Sequence, residues 1–173
     1  MTGIPGRPAT VRVALETVIL RELRALDREI AAYPDDDSLW TMPAGAPNSA
    51  GNLALHLAGN LRHFIGATLG GTDYKRDRDA EFSTKGLSRE DLRSTIKSAV
   101  LELTRAFDSM TDEQLDGEYP LQVQDRKFRT ADYLVHLAVH LSYHLGQIDY
   151  HRRLSTPSSE SVDTVSPKEL TSL

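Results

Sequence analysis

Apolar residues recur at helical spacing in four long segments of the chain. In the first, from about Pro8 to Tyr33, Val11, Leu15, Val18, Ile19, Leu26 and Ile30 follow three- and four-residue intervals, with Glu22 the one polar member of the stripe. Arg12, Glu16, Arg24, Asp27 and Arg28 take the wet side. Pro8 suits a first helical turn, where its missing N–H costs nothing. Pro34 ends the helix ahead of an Asp35-Asp36-Asp37 turn. The second segment is capped by Asn48 or Ser49, carries Leu53, Leu57, Leu61, Phe64 and Ile65 on one face, and ends near Gly70-Gly71. The third opens on Ser88 with Asp91, a capping-box pattern, and buries Leu92, Ile96, Val100, Leu103 and Phe107 before stopping near Ser109. Thr130 is placed to cap the fourth, Ala131 to about Leu154, with a stripe of Leu134, Leu137, Leu141, Leu145 and Ile148.

The connections differ in character. Trp40, the only tryptophan, precedes a Gly/Pro/Ala loop through Pro47 and is expected to pack in the core or wall a pocket. The link between the second and third helices is long, and its charges alternate in sign from Asp73 to Glu81. That alternation predicts a solvated surface. Thr111 with Gln114 is expected to cap one extra helical turn, and Glu118–Phe128 reads as an extended or small hairpin segment. The expected architecture is an all-α four-helix bundle over residues 1–154 with long connections, followed by a Ser/Thr/Pro-rich tail, 155–173, whose composition predicts flexibility.

Composition narrows the function classes. The 173 residues are 39% hydrophobic and 26% charged, ordinary for one globular domain. A formal charge of −5, with Lys and Arg interleaved among Asp and Glu, gives no basic face for nucleic acid or an anionic membrane. No segment reads as a signal peptide or a membrane span, and a cytoplasmic location is expected. There is no cysteine, so disulfides, thiolate metal sites and a cysteine nucleophile are excluded.

The six histidines are concentrated: His56 and His63 on the second helix, and His136, His140, His144 and His151 on the fourth. At about 100° per residue, His140 and His144 stand one turn apart on one face, beside the apolar stripe. His56 borders Leu53 and Leu57 in the same way. Neutral imidazole is a common ligand for divalent transition metals, and an i, i+4 pair joined by a third histidine from a facing helix leaves positions open for water or substrate. Spacing alone leaves a second reading open, hydrogen-bonded core histidines. No H-E-x-x-H is present, and neither histidine-bearing helix has the Glu-x-x-His of the di-iron bundles.

The segment His140-Leu-Ser-Tyr-His144-Leu-Gly-Gln-Ile148 resembles the last-helix signature of the DinB/YfiT-like superfamily of metal-dependent four-helix bundles. Asn52-Leu-Ala-Leu-His56-Leu-Ala-Gly-Asn60 resembles that group's second-helix motif, in the form carried by an uncharacterised DinB-like branch. The similarity spans about residues 9–154 in the same helix order. It implies His56, His140 and His144 as ligands of one divalent ion per chain, zinc or nickel, and a homodimer. It also implies an enzyme of the thiol S-transferase or hydrolase type acting on a small molecule, one candidate being a low-molecular-weight thiol. The alternative is a non-enzymatic, metal-stabilised bundle whose coordination is closed by a fourth ligand such as His136 or His151.

Around that site, His136, Asn60, Gln147 and Tyr133 are candidates to support the ligands or contact substrate. Asp132 is a weaker candidate base, and His63 and His151 read as rim residues. Arg62, Tyr74, Lys75 and Arg76 either bind an anionic group or form a solvated rim.

Overall fold

The structure, a computed structural model, describes residues 10–170, so the Pro8 reading lies outside the described residues. Helix α1 (Val11–Ala31) starts from Thr10, whose hydroxyl accepts from the Val13 N–H. A 3₁₀ turn (Asp37–Trp40) leads to α2 (Ala50–Leu61), capped by Ser49, and α2 runs on into a π turn (Arg62–Ala67). Gly71, at a φ of 69°, follows the helix end with the left-handed conformation that glycine adopts freely. A short α3 (Arg78–Ser83) sits within the charged connection, capped by Asp77. Then come α4 (Arg89–Ser109) and the one-turn α5 (Asp112–Asp116), both opened by capping boxes. Last is α6 (Thr130–Ser155). Thr130 is not the cap expected from sequence. It is the first helical residue, buried, with its N–H spent on the Gly117 carbonyl.

The four long helices make the expected all-α bundle, and no strand is formed among the described residues. The segment before α6 is hairpin-like, held by the isolated bridges Glu118–Arg129 and Val123–Arg126. Gln124 and Asp125 both take positive φ at its tip, the conformation of a type I′ turn. Helix α1 packs on α4 and α6, and α2 packs on the same two, while α1 and α2 meet only lightly. Successive helices α1 and α2 therefore occupy diagonal positions, which is why residues 32–49 must make a long connection. The core is the shared interior of all four, from Ile19, Leu23 and Leu26 through Leu57, Leu61, Leu103 and Phe107 to Leu134, Leu141 and Ile148. Close packing explains one glycine outright: a Cβ on Gly51 would strike the Trp40 ring, whose Nε1–H donates to the Leu87 carbonyl. Trp40 thus locks the 3₁₀ turn onto α2.

Glu22, the polar residue on the apolar stripe of α1, is buried and accepts from the Arg21 guanidinium at 2.5 Å. The tail departs from the flexible expectation. Arg152, in the last turn of α6 and in line with its apolar face, has no side-chain exposure and donates to Glu29 Oε2 at 2.7 Å and to the Glu160 carbonyl at 2.8 Å. Arg28 donates to the carbonyls of Val162 and Asp163, and Thr164 donates to Glu29 Oε1. Arg28, Glu29 and Arg152 thus hold residues 160–164 against α1 and α6. No helix among the described residues is long and apolar enough to cross a membrane.

Removing Arg152 strands a buried carboxylate, a change that costs about 3–5 kcal/mol in comparable pairs. Arg152→Met is expected to lower the urea midpoint accordingly and to expose residues 156–165 to limited proteolysis. The double variant Glu29→Leu/Arg152→Met should recover part of the stability but none of the protease resistance.

Candidate metal centre

Helices α2 and α6 face one another, and that packing brings His56 opposite the His140/His144 pair. One ring nitrogen from each of the three lies within 4.8 Å of the others, a group able to hold a metal ion. His56 Nε2 faces His140 Nε2 across 3.3 Å, and the His144 ring stands edge-on to both, with centroids at 5.4 Å and 4.6 Å.

Hydrogen bonds decide which nitrogens face inward. His56, only 7% exposed, has its Nδ1 at 2.9 Å from Glu81 Oε2. Burial acts to raise the Glu81 carboxyl, but hydrogen bonds from Arg76 and His56 outweigh it and hold it below the usual carboxylate range. An ionised carboxylate only accepts, so His56 Nδ1 donates to it, which leaves Nε2 as the nitrogen that faces the cluster. Gln147 does the same for His144: its Oε1 accepts from Nδ1 at 2.6 Å. His140 is pushed down to about 4, first by burial and then by repulsion from His144, His56, His136 and Arg76. Burial also lowers His144. At neutral pH His140 and His144 are thus uncharged, and the Gln147 contact leaves the His144 Nε2 lone pair available.

That donor set fits a divalent cation. Nitrogens bound tetrahedrally at about 2.0–2.1 Å stand roughly 3.3–3.4 Å apart. The His56–His140 separation of 3.3 Å already has this value.

The second-helix motif has a physical reading. Asn52 Nδ2 donates to the carbonyls of Glu81 and Thr84, pinning the connection to α2. A Cβ on Gly59 would collide with Glu81 Oε1, so glycine makes room for the carboxylate. Glu81 in turn carries Arg76, which donates to both its oxygens at 2.7 and 2.8 Å. The charged connection is therefore not a solvated surface throughout: Glu81 is buried and Arg76 half-buried beside the cluster. Arg62 is likewise engaged, by a paired contact with Glu102 and by the Tyr74 ring 4.0 Å below it. Both arginines are thus paired with carboxylates, and Lys75 is exposed.

The remaining candidates separate by environment. Asn60, one turn beyond His56, is buried, and its Oδ1 has no hydrogen-bond partner among the described residues. His136 is exposed and stacks between Tyr133 and His140. Tyr133 is buried among Phe64, Tyr119 and Phe128, and burial pushes its phenol up to about 12, so it stays protonated at neutral pH. His63 is half-buried beside Phe64, and Asp132 is exposed and bound to Arg129. His151 is not a rim residue. It is 5% exposed, with Nδ1 at 2.8 Å from the Tyr33 hydroxyl and Nε2 at 2.9 Å from the Thr41 carbonyl.

The family described as a protein of unknown function (DUF1572) matches residues 11–162 of the chain. No curated protein and no solved structure matches it.

The buried His151 yields a pH test. Burial lowers its pKa, whereas an unfolded histidine titrates near about 6.5. Above that value the group costs nothing. As pH falls below it, the unfolded chain takes up a proton that the fold resists, and stability drops. His140 and His144 add slopes of the same sign. Urea midpoints of the metal-free chain should therefore fall from pH 7 to pH 5, and the His151→Asn variant should show a shallower fall than its parent.

Proposed function

The chain belongs to the DUF1572 family, and we propose that its members of this form are DinB-like, divalent-metal-dependent enzymes acting on a small molecule by thiol transfer or hydrolysis. One observation carries the reading: three imidazoles converge from α2 and α6, two of them oriented through Nδ1 by Glu81 and Gln147. Imidazole ligands suit zinc and nickel, and His56, His140 and His144 would hold the ion. When bound, it supplies Lewis acidity toward a water or an external thiol at neutral pH. With no cysteine in the chain, any thiol must come from outside.

The chain's own residues supply the rest. Glu81 orients His56 and balances the charge brought by the cation, while Arg76 keeps Glu81 ionised. Asn60 offers a buried, unpartnered oxygen one turn from His56, suited to accept a hydrogen bond from a bound molecule. The non-enzymatic reading requires a fourth protein ligand, and this arrangement disfavours it: both ring nitrogens of His151 are spent on Tyr33 and Thr41, and His136 stacks outward. The proposed assembly is a homodimer. Its support is the outward side of α6, where Val135, Val139 and Tyr143 are exposed around Gly146 and no charged residue intervenes between Asp132 and Asp149.

Metal analysis after dialysis should find about one divalent ion per chain, lost on His140→Ala. Glu81→Gln should retain the fold and weaken metal affinity about 10–100-fold, the range for lost orienting partners. Full retention of metal by His140→Ala would sink the ligand assignment. Sedimentation should show a dimer that Val139→Lys converts to monomer; a monomeric parent removes the assembly.

A further inference from the structure

Beside the histidine cluster, the loop of residues 43–48 stands off from α6 and leaves a groove of about 330 Å³. Pro43, Ala46, Leu53, Gln147, Tyr150 and Leu154 line it, and no Lys, Arg, Asp or Glu does so among the described residues. Its one histidine, His151, has both ring nitrogens occupied. The groove is thus uncharged and chiefly apolar, and it offers only scattered polar atoms at Asn48, Gln147 and Tyr150.

Three features connect it to the cluster. Gln147 lines the groove and holds His144 Nδ1 at 2.6 Å. Leu53 lies one turn before His56 on α2. Asn48 lines both this groove and an adjoining hollow walled by Phe82, whose ring packs 5.0 Å from that of His56. A molecule whose reactive atom sits at the cluster can therefore lay a neighbouring group into the groove, past a hollow whose rim carries Arg78 and Asp79. The volume lies at the small end of ligand sites, about 300–1,000 Å³.

We propose that this groove binds an uncharged apolar group, a single aromatic ring or a short alkyl chain, of the small molecule handled at the histidine cluster. The inference deepens the metal-enzyme reading and rests on it for the identity of the occupant. Apolar burial supplies the affinity and the adjoining cluster supplies the chemistry. The groove itself presents no cation, so a flanking group laid into it gains nothing from a negative charge.

The test uses the full chain. N-phenyl-1-naphthylamine, an uncharged fluorescent probe, is titrated first onto the metal-free protein. One saturable site is expected, weakened at least ten-fold by Ala46→Glu and by Leu154→Glu. His140→Ala and Val139→Lys should leave it unchanged, the latter altering only the outward face of α6. Absence of binding, equal binding by both groove variants, or a loss confined to Val139→Lys overturns the groove. Because His140→Ala is expected to bind the probe normally, failure of the metal reading is distinguishable from failure of this one. On cobalt-loaded protein, 2-phenylethanethiol should displace the probe at least ten-fold more tightly than 2-mercaptoethanesulfonate. Equal displacement by the two overturns the link between groove and cluster.

Discussion

The Glu81 carboxylate is the point on which the geometry of the cluster depends. One oxygen takes the His56 Nδ1–H and both take the Arg76 guanidinium, while the residue's own carbonyl is held by Asn52. A single side chain thereby ties a long connection to α2, sets the tautomer of a candidate ligand and keeps a negative charge beside the place a cation would occupy. Leaving a buried carboxylate there without the cation Arg76 would be costly. Leaving His56 without Glu81 would free its ring to turn and its proton to move to Nε2, where it would block the lone pair. Gly59 belongs to the same device, because its missing side chain is what lets the carboxylate approach α2.

Much of this was legible in the residues, and the limits have physical causes. The four long helices follow from periodicity, and Ser49, Ser88 with Asp91, and Thr111 with Gln114 cap as their spacing requires. The His140/His144 pair was accessible from i, i+4 geometry, and the resemblance to the DinB/YfiT-like motifs singled out His56 as its third member; the structure groups the three. Glu81 and Arg76 were hidden. In a run of alternating charges nothing marks the one carboxylate that turns inward, and its partner on α2 is 25 positions away. His151 misled for a related reason: its helical arc gives the direction of the side chain but not the presence of Tyr33 and Thr41 from the connection after α1. Arg152 did leave a signal. It falls on the same face as Leu134, Leu141 and Leu145, and a charged residue at the centre of an apolar stripe demands a buried partner.

Helix α6 shows how these demands share one element. It is only weakly amphipathic because it has three kinds of face in place of two. One carries the core leucines and Arg152. The next carries Tyr133, His140, His144 and His151, partly covered by α2 and the connections. The outward face is uncharged over four turns. A helix that spends its apolar residues on the outside as well as the inside loses the contrast that normally fixes its rotation. Buried polar contacts restore it: Arg152 to Glu29 pins α6 against α1, and His151 to Tyr33 pins it against the connection just beyond α1.

That pinning has a consequence for the cluster. The His140 and His144 rings can meet His56 only if α6 keeps its rotation to within a fraction of one residue, since a step of one residue turns the face by about 100°. Hydrophobic packing alone is non-directional and would tolerate some slippage along a leucine-rich seam. Directional, buried bonds at the far end of the helix do not. The Arg152–Glu29 pair contributes little net stability over a well-packed apolar pair by the usual accounting of buried ion pairs. Its geometric role is larger: it fixes the register in which two helices present their imidazoles to one point, and the tail it binds closes over the same contact from outside.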